Sequence, residues 1–152
     1  MKKVVPVYCL LCFLLIFVVS VLSLNKPSIE IVTLLFTSLA GLLAATGLLL
    51  KKYIYPSLLV LVLLYAFQSI SFVFWQTHYK FVIGPGISFA AFTTPDFITR
   101  FGIRIFDIAF QVWPTESYNS ITVNILHVSL TVFFVKWLNQ FEKSSIAATK
   151  QP

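Results

Sequence analysis

The chain has 152 residues, 59% of them apolar and only 11% charged, with a net charge of +6. Soluble domains carry about a quarter charged residues, so an ordinary soluble domain is excluded. The basic residues sit at the ends of long apolar runs and form no stripe, so the positive balance reads as membrane orientation and contact with anionic lipid, not as nucleic-acid binding.

Four stretches, residues 4–24, 31–50, 53–77 and 117–135, contain no Asp, Glu, Lys or Arg. Each is about as long as a helix needs to cross a bilayer. The expectation is an all-α membrane protein, a four-transmembrane-helix bundle forming one domain over residues 1–152. Its helices would cover about 4–24, 31–50, 54–77 and 117–138, with an outer segment over 78–116 between helices three and four.

The first run follows Lys2 and Lys3 and ends near Val21-Leu22-Ser23, a pattern shared with cleaved signal peptides. Its 21 uncharged residues exceed the usual signal core of about 7–15, which favours a retained span. Pro6 suits a first helical turn. Cys9 and Cys12 form a C-x-x-C, but without the βαβ context of a redox pair they read as small apolar fillers, open to palmitoylation at the boundary. Asn25-Lys26-Pro27-Ser28 is a short turn with Ser28 as N-cap of the second span. That span carries Thr33, Thr37, Ala40, Gly41, Ala44, Ala45 and Gly47, a small-residue face suited to close packing within the bundle. Lys51-Lys52 joins it to the third span, where Pro56 falls in the first turn and Tyr65, Gln68, Ser69 and Ser71 are polar.

In the outer segment, Gly84-Pro85-Gly86 divides two apolar pieces too short to span. Thr94-Pro95-Asp96-Phe97 has the order of a helix start. Asp96, Arg100, Arg104, Asp107 and Gln111 then recur at spacings of four, four, three and four, one polar stripe of an interfacial helix whose other face is apolar. This stripe is the candidate partner surface. A strand competes for the same segment, because Phe106, Ile108, Phe110 and Val112 also alternate with Asp107, Ala109 and Gln111, and Gly102 weakens a helix. Pro114 ends the segment.

The fourth span places Ser120, Asn124, His127 and Thr131 on one helical face. With Gln68 of span three, the residues Asn124, His127 and Thr131 make a candidate polar pocket, either an interhelical hydrogen-bond network or an outward-facing site in which His127 titrates or binds a ligand.

Placing Lys2, Lys3, Lys51, Lys52, Lys136, Lys143, Lys150 and Glu142 inside accounts for the whole net charge and leaves four cations balanced by four acids outside. That is the positive-inside arrangement of a multi-pass cell-membrane protein with both termini cytoplasmic. Trp75, Tyr79, Trp113 and Tyr118 mark the outer boundary, and Tyr8, Tyr53, Tyr55 and Trp137 the inner one.

No cofactor or metal is expected: His78 and His127 belong to the outer half, Cys9 and Cys12 to the inner, and metal ligands must lie within about 2.3 Å of one ion. The spans hold no carboxylate, and no Ser/His/Asp set or phosphate loop is present, so enzymatic activity is not expected. The leading expectation is a non-enzymatic membrane protein working by protein contact, as an accessory, assembly or immunity-like component. Its partners would be the lipid bilayer and another membrane protein or a second copy. The alternative is a subunit of a small-molecule or ion transporter with its pocket around His127.

Overall fold

The computed structural model describes residues 3–25, 28–74, 77–93, 97–111 and 119–149. Two uninterrupted apolar sequences form α1 (Val4–Leu22) and α2 (Ile29–Leu49), the latter opened by Ser28, whose hydroxyl accepts from the Ile31 amide at 3.3 Å. Both helices are long and apolar enough to cross a membrane. Lys51 and Tyr53 take positive φ to reverse the chain into α3 (Ile54–Ser69). At 16 residues α3 measures about 24 Å, short of the roughly 30 Å hydrocarbon core.

Beyond Ser69 the helix gives way to β1 (Ile70–Phe74), which turns into the long strand β2 (Thr77–Phe92) and its partner β3 (Ile98–Gln111). A short strand, β4 (Ser120–Asn124), leads directly into α4 (Ile125–Thr149).

All pairings are antiparallel. β1 pairs with the start of β2 (Phe72↔Tyr79) and with β4 (Ile70↔Val123), while β4 pairs with the end of β2 (Ser88↔Asn124, Phe92↔Ser120). These three strands therefore close on one another. β2 meets β1 at one end and β4 at the other by bending at Gly84-Pro85-Gly86, where Gly84 has φ +89°. β3 runs along the remaining edge of β2 from Lys80↔Gln111 to Phe92↔Ile98.

The all-α four-helix expectation is thus corrected. The predicted third span, 54–77, is a helix followed by a strand, and the fourth, 117–138, is a strand followed by a helix that continues to Thr149. The outer segment 78–116 is a β-hairpin where it is described, not an interfacial helix. Hydropathy cannot separate these states, since a strand enclosed by protein is as uncharged as a span. Period is the discriminating signal: Ser71 and Val73 alternate with Ile70, Phe72 and Phe74, and Ser120, Thr122 and Asn124 with Ile121 and Val123. Trp75, Asp96, Trp113, Pro114 and Tyr118 lie outside the described residues.

The core joins helices and sheet. Cys9, Phe13 and Ile16 of α1, Ala44, Ala45 and Leu48 of α2, Leu58, Leu61 and Tyr65 of α3, Leu130 and Phe134 of α4, and Phe81 and Ile83 of β2 form one buried cluster. α2 packs closely through its small residues: a Cβ at Gly41 would meet the Phe13 ring at 2.5 Å, and one at Gly47 would collide with Ser57. At Gly84 an added Cβ would lie 3.4 Å from Cys12 Sγ. Since Cys12 is midway along α1, the bend of β2 is wedged deep between the helices.

Candidate functional site

Even-numbered residues of β2 point away from the Phe81–Ile83 core, and those of β4 share their side. Together with β1 and β3 they enclose a cavity of about 390 Å³. β4 contributes Ser120, Thr122 and Asn124, β1 contributes Ser71 and Val73, and β2 contributes Lys80, Val82, Ser88, Ala90 and Phe92. β3 adds Arg100, Gly102 and Arg104. Alternation produces this polarity directly, because a strand places every second side chain on one face. The other side is apolar, with Phe89, Ile103 and Ile121 exposed.

Two glycines keep the cavity open. Gly86 pairs with Arg104, and a Cβ there would press on Asn124 Nδ2 at 2.9 Å. Gly102, between the two arginines, faces Ser88, whose hydroxyl donates to the Gly102 carbonyl at 3.4 Å. Arg100 is drawn over the Phe92 ring at 5.3 Å, a cation–π contact that leaves the guanidinium edges available.

The predicted stripe belongs to this sheet. Ala90↔Arg100, Gly86↔Arg104, Gly84↔Asp107 and Lys80↔Gln111 all oppose even-numbered residues of β2. The spacing of three between Arg104 and Asp107 marks a bulge, where β3 uses one residue more than β2. The helical reading of the stripe is corrected accordingly. Arg100 and Arg104 line the cavity, Asp107 and Gln111 pair in the backbone register with Gly84 and Lys80, and Asp96 lies outside the described residues.

Below the cavity floor sits a second polar cluster, with Gln68, Asn124 and His127 buried. Asn124 Oδ1 accepts from the His127 amide at 3.3 Å, and Asn124 Nδ2 approaches His127 Nδ1 at 3.1 Å. The Gln68 carbonyl is 3.2 Å from the same Nδ1, and Gln68 Oε1 accepts from the Ile83 amide at 3.1 Å. His127 Nδ1 therefore meets one donor and one acceptor, and each neutral tautomer satisfies only one of them. Thr131 donates to the His127 carbonyl at 2.8 Å and lies 3.4 Å from the Ser69 hydroxyl. Gln68, Asn124, His127 and Thr131 are thus brought together, but of the four only Asn124 reaches the cavity. Among the described residues, Gln68 Nε2 and His127 Nε2 find no hydrogen-bond partner.

Aromatic side chains seal the cluster from beneath. Tyr65 packs edge-on against His127 at 5.4 Å and stacks on Phe134 at 5.8 Å, while its hydroxyl donates to Cys9 Sγ at 3.2 Å. Cys9 is fully buried against Tyr65 and not paired with Cys12. Beside β1, the Tyr79 hydroxyl donates to the Phe67 carbonyl at 2.8 Å, and burial raises its pKa above the usual tyrosine value. Among the described residues no three His, Cys, Asp or Glu side chains are grouped to hold a metal ion.

Sequence reasoning missed Lys80, Ser88 and Thr122 as cavity residues. The available signal was the alternation of β2 and β4. Comparison with protein-family models, with curated proteins and with solved structures finds no match.

Proposed function

We propose that this chain is a multi-pass membrane protein of non-enzymatic type whose sheet is a binding module opening at the outer face. The observation that carries the reading is the cavity itself, lined by hydroxyls, an amide and three cations beside an apolar wall, and stopped at its base by the Asn124–His127–Gln68 cluster and the aromatic layer under it. A site closed below suits holding a ligand or partner, not passing it through. The bilayer part of the reading rests on α1 and α2, and on large apolar side chains exposed along all four helices, among them Leu11, Leu14, Phe36, Leu43, Leu63, Phe67, Val128 and Val132. Strand backbone at membrane depth is tolerated where protein satisfies it, as β1 is paired with β2 on one edge and β4 on the other and the bend of β2 is buried. The distribution of Lys supports an arrangement with both termini and Lys51-Lys52 in the cytoplasm.

The hydroxyls, the amide and the cations of the cavity are groups suited to recognition. Cysteine introduced at Ser88, in a background lacking Cys9 and Cys12, tests the reading. A membrane-impermeant maleimide should label it in intact cells from the outer face. Labelling only after the cells are opened, or none in folded protein, would refute an outward-open cavity.

A further inference from the structure

We infer that the cavity binds a phosphate-type oxyanion, carried either by a lipid headgroup or by a free solute; this rests on the binding-module reading and names its ligand class. Among the described residues lining the cavity, three are cations, Lys80, Arg100 and Arg104, and none is a carboxylate. Around them stand donors suited to anionic oxygens: the hydroxyls of Ser71, Ser88, Ser120 and Thr122 and the amide of Asn124.

The spacing is selective. Arg100 and Arg104 occupy the same face of β3 four residues apart, about 13 Å along the strand, with Gly102 between them. A side chain at 102 would fill the space that separates the two forks, and Ala90 opposite Arg100 is equally small. Arginine forks match the paired oxygens of a phosphate, and Phe92 fixes the plane of one fork through its ring face. Within the same cavity Val73, Val82 and Phe92 offer an apolar wall, so the site accommodates the carbon part of an organic phosphate as well as its charge. Its volume of about 390 Å³ lies in the usual range for small-molecule sites.

The test uses the full chain purified in neutral detergent. Thermal unfolding is followed with inorganic phosphate added, and native mass spectrometry compares retention of phosphatidylglycerol with that of phosphatidylcholine. Stabilisation by phosphate identifies a free oxyanion, and selective retention of phosphatidylglycerol identifies a headgroup. In either case the Arg100→Gln, Arg104→Gln double variant should bind about tenfold or more weakly, since each lost hydrogen bond is to a charged partner. Lys136→Gln with Lys143→Gln, on α4, should bind as the parent does. Ala90→Leu keeps every charge but occupies the cavity, and should also lose binding. No response of the parent protein to either probe overturns the inference, and so does binding that survives the double arginine variant or Ala90→Leu. Outer labelling at Ser88 without any anion response would leave the binding module standing and remove only its assigned ligand.

Discussion

Asn124 stands where β4 becomes α4, and its side chain is the N-cap of that helix, accepting from the amide three residues on. The same amide group borders Gly86 and faces His127, so one residue couples the start of α4, the bend of β2 and the buried imidazole. Gln68 completes the link by holding the Ile83 amide from the end of α3. Gln68→Leu leaves that buried N–H unpaired and should lower stability by about 1–3 kcal/mol. His127→Leu removes one interhelical contact and should cost about 1 kcal/mol, the usual size of such bonds within membranes. Unfolding in detergent micelles measures both, and equal or reversed losses would show that Gln68 does not anchor the bend.

At the scale of elements, the bend in β2 decides the shape of the cavity. A Cβ at Gly84 would make ordinary van der Waals contact with Cys12, but the residue holds a left-handed φ of +89°, whereas Gly86 lacks room for a Cβ beside Asn124. Gly84→Ala should therefore cost about 1–2 kcal/mol through backbone strain alone. Gly86→Ala should cost more and act through Asn124, so its effect should be non-additive with Asn124→Ser, a coupling that a double-mutant cycle in chemical denaturation reads directly. Much of this was legible. The helices of the first two uncharged runs, the Ser28 cap, the turn at Lys51-Lys52 and the bend at Gly84-Pro85-Gly86 all stand where the residues indicate. The strands were obscured for a physical reason: a spacing of four between Ala90's partner Arg100 and Gly86's partner Arg104 fits both a helical face and two strand repeats. The spacing of three to Asp107 then completed a helical pattern that the structure instead accommodates as a bulge. Asn124 likewise fits by spacing the helical face that it only caps. The grouping of Gln68 with His127 was accessible because both sit at matching depth in adjacent uncharged runs. The cavity was not, since its walls depend on which strand pairs with which.

For the molecule as a whole, the decisive asymmetry is between its charged ends and its apolar girth. Every Lys of the two termini and of the 51–52 turn falls on one side of the proposed membrane arrangement, while the sheet with Lys80, Arg100 and Arg104 falls on the other, where acids balance them in the sequence. Orientation follows cations near the ends of apolar segments more than net charge. Single cysteines at Ser145 and at Lys52, in the background lacking Cys9 and Cys12, should accordingly react with an impermeant maleimide only after the cells are opened. Replacing Lys51, Lys52 and Lys136 with Gln removes three of the seven inner Lys and leaves the outer cations intact. That variant should insert with mixed topology, a measurable share of it exposing residue 145 outside. An outer label at residue 145 in the parent protein would invert the arrangement and turn the cavity toward the cytoplasm. A uniform inner label in the triple variant would instead mean that packing of the sheet against the helices, and not the lysines, sets the orientation.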